Sequence, residues 1–92
     1  MSNYILYTDK PEKFKCDIRL QGANISNATA RIVLETKNLN LFFNGRIDEY
    51  GKCTIPIKEL RGLLGENIKG KMALEVFADD TYFIPWQSKF IV

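Results

Sequence analysis

Apolar and polar residues alternate strictly in the segment that begins at Phe14. Phe14, Cys16, Ile18 and Leu20 are apolar, and every residue between them is charged or polar. Successive side chains of a β-strand point to opposite sides, so this period of two predicts a strand with one buried face and one solvent-exposed face. A chain built from such segments folds as an antiparallel sheet, because a parallel sheet has uniformly apolar strands and long helical connections.

The same alternation recurs along most of the sequence. It is found in residues 28–34, 39–47, 53–57, 72–78 and 82–86, and 90–92 close the chain as a further half-strand. Ninety-two residues suit a single core. The spacing therefore predicts an all-β fold of six to seven strands, either a compact antiparallel β-sandwich of immunoglobulin-like type or a small barrel.

Three residues and one segment interrupt the alternation. Gly45 lies inside a strand pattern and predicts a bulge or a close approach of two backbones. Pro56 and Pro85 cannot donate a ladder hydrogen bond, so each predicts an edge or a bend. Leucines at helical spacing predict a short helix near residues 58–64, which Gly62 weakens.

The first thirteen residues are separate from this pattern. Tyr4, Ile5, Leu6 and Tyr7 form a short apolar patch, and a polar connector follows. We expect residues 1–13 to be an edge strand or an arm that docks on a neighbouring subunit. Residues 14–92 are then the β-domain.

Charge argues against nucleic acid as the main partner. The chain has 13 basic and 11 acidic residues, which gives a net charge of +2, whereas a phosphate-binding domain usually has a marked basic excess. Residues 1–6 lack the basic start and apolar run of a signal peptide. No apolar stretch approaches the ~18 residues of a membrane span. We therefore expect neither secretion by a signal peptide nor a membrane partner.

Two cysteines, Cys16 and Cys53, fall on predicted inward faces. One interpretation is a pair of buried, unreactive thiols in a reducing cytoplasm. The alternative is a disulfide that joins two strands, which requires Cα atoms less than about 7 Å apart. We expect the reduced form.

The residues that carry most enzyme chemistry are missing. The sequence has no histidine, which removes the commonest general base and the usual nucleophilic triads. Asp79 and Asp80 could contribute oxygens to a metal ion, but adjacent aspartates are common in turns. We therefore expect no catalytic residue, no metal site and no cofactor.

Aromatic residues are concentrated in the last quarter of the chain, and they have three interpretations: core packing, a protein interface, or a stacking surface for single-stranded nucleic acid. Val33 and three phenylalanines fall outside the predicted core face, where either a second layer covers them or they form an exposed apolar patch that requires a partner. The candidate protein interface is Tyr4, Ile5, Leu6 and Tyr7 of the arm, with Phe42, Phe77 and Phe83 of the sheet. The nucleic-acid alternative uses Phe42, Arg46, Lys52, Tyr82, Trp86 and Lys89.

Several short segments carry a family resemblance. They are GKCTIPI at 51–57, Leu60, GK at 70–71, LEV at 74–76 and ADDTYFIPW at 78–86. Over about the last two thirds of the chain, the sequence resembles small all-β, head-associated virion proteins of T4-like tailed bacteriophages. The resemblance implies a non-enzymatic structural or assembly role, in the host cytoplasm during assembly or in the virion. It transfers no functional residue.

Together these observations predict a non-catalytic module that binds a protein partner or another copy of itself. A small barrel that binds single-stranded nucleic acid is the alternative.

Overall fold

Seven β-strands make up the regular structure of the described residues. The computed structural model describes residues 4–18, 28–65, 67–78 and 80–92. The strands are β1 (Tyr4–Ile5), β2 (Glu12–Asp17), β3 (Thr29–Glu35), β4 (Asn40–Ile47), β5 (Lys52–Ile57), β6 (Lys69–Ala78) and β7 (Thr81–Ile91).

All seven strands belong to one sheet, in the order β1-β7-β6-β3-β4-β5-β2. Neighbouring strands are antiparallel except β1 and β7, which are parallel and pair Tyr4 with Phe90 and Ile5 with Ile91. The sheet curls into a half-barrel. The all-β prediction is confirmed, and the architecture is nearer to the barrel than to two stacked sheets.

The concave face of the half-barrel holds the core. Alternate residues of each strand point into it, as the period of two predicts. Ile32 and Leu34 of β3, Ile55 of β5, and Leu74 of β6 are completely buried. Leu6, which follows β1, is also buried in this core.

Three aromatic rings join the two ends of the curled sheet. The Trp86 ring on β7 lies 4.9 Å from that of Phe14 on β2 and 5.8 Å from that of Tyr4 on β1. Tyr4 and Phe14 are 6.0 Å apart. These separations suit favourable aromatic packing. Side chains therefore connect the two ends of the sheet where no strand pairing is recorded between β2 and β1 or β7 among the described residues.

Gly45 marks a close approach of two strands, as one of its two interpretations predicted. A Cβ atom at this position would lie 2.7 Å from the Ile55 Cα atom and closer still to the Thr54 carbonyl oxygen. Real Cβ atoms essentially never approach other atoms this closely. Glycine therefore allows β4 to pass against β5 at this point.

Both prolines lie where one side of a strand is unpaired. Pro56 pairs with Lys13 of β2, but the recorded pairing of β5 with β4 covers only Thr54 and Cys53. Pro85 lies at a β-bulge, where the register between β6 and β7 shifts. The bend prediction is confirmed at Pro85, whereas β5 is an interior strand and Pro56 is at an edge only locally, where its pairing with β4 has ended.

The predicted helix near residues 58–64 is wrong. These residues form an irregular turn with two backbone hydrogen bonds, from the Leu63 and Leu64 N–H groups to the Leu60 carbonyl. Gly62 lies inside this turn with a φ of 82°, in the left-handed region, which is incompatible with a right-handed helix through these residues. The described residues contain no helix that could cross a membrane.

The bulge also reverses the expected faces of β7. Strict alternation through residues 82–86 would place Tyr82 and Trp86 on one face and Phe83 on the other. Instead, Phe83 and Trp86 pack against the core and Tyr82 lies on the outer face. An extra residue in one strand changes the phase of the side chains that follow it.

Candidate interaction surface

Five side chains form a compact cluster on the convex, outer face of the sheet. The register places Arg31 of β3 opposite Glu75 of β6, and places Phe77 of β6 opposite Tyr82 of β7. Phe42 of β4 lies opposite Val33, two positions along β3 from Arg31. We call Arg31, Phe42, Glu75, Phe77 and Tyr82 the outer-face cluster.

Arg31 is at the centre of this cluster. Its guanidinium carbon lies 4.8 Å from the centre of the Phe42 ring and 5.4 Å from that of Phe77. Both distances lie within the range of a cation–π contact. The Phe77 and Tyr82 rings are 5.1 Å apart. Arg31 therefore connects aromatic side chains of strands on either side of it.

Glu75 fixes both Arg31 and Tyr82. The Arg31 Nε–H donates to one carboxylate oxygen at 2.5 Å, and the Tyr82 hydroxyl donates to the other at 2.5 Å. Burial alone would raise the pKa of Glu75, but these hydrogen bonds and the charge of Arg31 outweigh it and lower the pKa. The Glu75 hydrogen bond, followed by desolvation, raises the pKa of Tyr82.

The aromatic rings of the cluster remain open to solvent. Phe42 is 52% exposed, Tyr82 is 48% exposed and Phe77 is 39% exposed. Single exposed apolar residues are common, but here Phe77 and Tyr82 are adjacent and Arg31 connects them to Phe42, which makes a patch of the kind found at interaction sites.

The residues proposed for the protein interface divide between surface and core. Phe42 and Phe77 belong to the outer-face cluster. Phe83 and Tyr4 pack against the core instead, and Leu6 is buried in it. Of the arm, Ile5 and Tyr7 are exposed, and the Lys10 ammonium lies 4.3 Å from the centre of the Tyr7 ring.

The residues of the nucleic-acid alternative also divide. Phe42, Tyr82, Arg46, Lys52 and Lys89 lie on the outer face. Trp86 does not, because its ring packs with Tyr4 and Phe14 between the ends of the sheet. The two exposed aromatic residues of this alternative therefore belong to the same cluster as Phe77.

Lysine and arginine predominate among the exposed charges on the outer face. Among the strand residues that the structure describes, seven exposed ones on this face are basic and two are acidic. The basic residues are Lys13, Lys15, Arg46, Lys52, Lys69, Lys71 and Lys89, and the acidic ones are Asp17 and Glu35. The other exposed acids of the described chain lie in turns and connections. The outer face is therefore basic, although the net charge of the whole chain is only +2.

Sequence reasoning missed the importance of Arg31 and Glu75. Strand parity placed both on the outer side, but Glu75 looked like an isolated surface acid. Only the register of β3 against β6 brings the two side chains together. The available sequence signal for this cross-strand ion pair was one residue of opposite charge at an outward position on each of the two strands.

The two thiols face each other across β2 and β5. Cys16 pairs with Cys53, and both are free. Burial, with a smaller contribution from the neighbouring Cys16, raises the pKa of Cys53 to about 11. The prediction of burial is confirmed for Cys53, but Cys16 is only half-buried because β2 is an edge strand. Among the described residues, no three potential ligands lie together to hold a metal ion.

Comparison with models of known protein families gives no match. Comparison with curated proteins gives no significant match either.

Proposed function

We propose that this chain is a non-catalytic protein-interaction module whose contact surface is the outer-face cluster. The observation that carries the proposal is the group of three exposed aromatic rings held in place by Arg31 and Glu75. Aromatic residues and arginine dominate the binding energy of protein interfaces. Side chains that are already fixed lose little conformational entropy when a partner binds.

The same geometry favours a protein over nucleic acid at this cluster. The Arg31 guanidinium contacts the Glu75 carboxylate, so its charge is already compensated. A phosphate placed there would also lie near a carboxylate, which repels it. The guanidinium covers part of the Phe42 and Phe77 ring faces that a base would need for stacking.

The resemblance to head-associated proteins of T4-like phages supplies a biological setting for this proposal. A structural or assembly role requires binding surfaces rather than catalytic groups. The absence of histidine from the sequence agrees with such a role. We therefore propose a phage structural or assembly component that is made in the host cytoplasm.

The test uses the chain as bait in a lysate of cells infected with a T4-like phage. Bound proteins are identified by mass spectrometry, and affinity is then measured with each purified candidate. Phe42→Ala/Phe77→Ala is expected to weaken the specific complex by about 30-fold or more, since hot-spot losses are about 2 kcal/mol or larger.

Tyr50→Ala is the matched control. Tyr50 is 80% exposed in the turn between β4 and β5, away from the cluster. Light scattering measures self-association of the same variants. A chain that is strictly monomeric and captures no partner sensitive to Phe42→Ala/Phe77→Ala would overturn the proposal.

A further inference from the structure

One row of outer-face residues crosses the half-barrel from β7 to β2, with aromatic side chains at one end and basic side chains at the other. From β7 to β2 it consists of Tyr82, Phe77, Thr29, Arg46, Thr54 and Lys15, each opposite the next in register. The first two residues are aromatic, Thr29 follows them, and the last three residues are two cations separated by a threonine. Five strand spacings of about 4.8 Å make the row ~24 Å long along the curved sheet.

The cations of this row lack charged partners within the described chain. Arg31–Glu75 is the one ion pair recorded among the described residues, and neither Arg46 nor Lys15 takes part in it. Both side chains are exposed. Lys13, two positions along β2 from Lys15, adds a third exposed cation beside the basic half.

Arg46 lies close enough to the aromatic half for one ligand to contact both. It is two strand spacings from Phe77, which is about 10 Å, with Thr29 between them. An extended segment of about seven residues spans the full row at ~3.3 Å per residue. A single short segment can therefore place apolar side chains on the rings and charged side chains on the cations.

We propose that the partner binds this row through an extended protein segment that carries an apolar anchor followed by acidic side chains. The inference rests on the proposed function and adds the chemistry and orientation of the partner. The anchor packs against Phe77 and Tyr82, and Phe42 lies on the other side of Arg31 from Phe77. The carboxylates lie against Arg46 and Lys15, where charge complementarity sets partner choice and orientation.

The probes are three dye-labelled ligands. Two are synthetic peptides of equal length with a leucine and phenylalanine anchor followed by either glutamates or lysines. The third is an oligodeoxythymidylate. Fluorescence anisotropy at low and at physiological salt measures their binding to the intact chain. The glutamate peptide is expected to bind at least tenfold more tightly than the lysine peptide.

Two double variants distinguish the effect of charge position on peptide binding from the effect of net charge. Lys15→Glu/Arg46→Glu reverses the row and is expected to weaken glutamate-peptide binding by roughly tenfold, because each exposed ion pair contributes a few-fold and reversal adds repulsion. Lys37→Glu/Lys58→Glu makes the same change in net charge at exposed positions between strands. It is expected to weaken binding less than about threefold. Urea unfolding midpoints confirm that each variant is folded.

Each outcome decides between the two proposals. Equal binding of both peptides, equal losses in the two charge variants, or no binding of the glutamate peptide overturns the inference. Tighter binding of the oligonucleotide, lost in Lys15→Glu/Arg46→Glu, makes nucleic acid the ligand and also overturns it. The glutamate peptide could stay bound to Phe42→Ala/Phe77→Ala but be released by Lys15→Glu/Arg46→Glu. In that case the basic half of the row binds acidic ligands, and the proposal that the outer-face cluster is the contact surface is overturned.

Discussion

The contact between β4 and β5 at Gly45 predicts a large loss of stability from the addition of one methyl group. In Gly45→Ala the new Cβ atom would lie 2.7 Å from the Ile55 Cα atom and closer to the Thr54 carbonyl oxygen. Both are backbone atoms, so no side-chain rotation relieves the clash. The strands must separate or the sheet must bend at this point.

The cost follows from the overpacking of a close contact. Extra methyl groups in packed interiors cost about 1–3 kcal/mol. We expect about 3 kcal/mol here, because backbone must move. A domain of 92 residues has a free energy of unfolding of about 5–14 kcal/mol. The loss corresponds to a fall in melting temperature of about 12–24 °C.

Urea unfolding followed by Trp86 fluorescence measures this effect, and two other glycines serve as controls. At Gly65 the nearest atom to a new Cβ is the Ile68 Cγ1 atom at 4.0 Å, so Gly65→Ala is expected to be neutral or to stabilise by about 0.4–1 kcal/mol. Gly62 has open space but a φ of 82°. Gly62→Ala therefore tests backbone strain alone, at about 1–2 kcal/mol.

Equal unfolding midpoints for Gly45→Ala and Gly65→Ala would refute this reasoning. They would mean that β4 and β5 do not approach each other in solution as described. A Gly62→Ala loss larger than that of Gly45→Ala would show that turn strain, rather than strand packing, is the dominant constraint.

Three further predictions concern buried and paired side chains. A thiol reagent at pH 8 is expected to modify Cys16 slowly and Cys53 only after unfolding, since burial raises the pKa values of both thiols. Reductant should leave the melting temperature unchanged, and a marked fall in melting temperature with reductant would reveal a disulfide. Because the folded pKa of Glu75 is lowered, its stabilising contribution is present above the unfolded value of about 4.5 and is lost as pH falls through the folded pKa. Glu75→Gln should therefore show a smaller drop in urea midpoint between neutral and acidic pH than the parent chain, and an equal drop would contradict this. Tyr4→Ala removes a ring from the contact with Trp86, so we expect the free energy of unfolding to fall by about 2 kcal/mol and the Trp86 emission to shift to the red. An unchanged emission maximum would contradict the placement of the Tyr4 ring.

The strands were predictable because their signal is local. Alternation at Phe14 and at Ile32 reports which side of a strand is buried without any knowledge of its partners. The helix prediction failed because leucine spacing near 58–64 is equally compatible with a single turn that buries Leu60 and Leu64. The left-handed conformation of Gly62 decided between them.

Strand pairing and the outer-face cluster required information that local patterns lack. Arg31 and Glu75 are far apart in sequence, and their contact depends on the register of β3 against β6. Tyr82 and Trp86 lie on different faces of the sheet because of a bulge, for which Pro85 predicted only an edge or a bend. A shift of one residue moves every later side chain to the other face, so small errors of register change the predicted surface completely. The family resemblance stays a prediction.

The parallel pairing of β1 with β7 has a consequence for the order of folding. It joins residues from nearly opposite ends of the described chain, whereas β6 and β7 form a hairpin through a short turn. Contacts that close long loops must offset a larger entropy cost and tend to form late. β1 is also only two residues long. Its docking should therefore be the last step of folding and the first to reverse, so the Leu6 amide, which donates to the Ile91 carbonyl, should exchange with solvent faster than amides of β3.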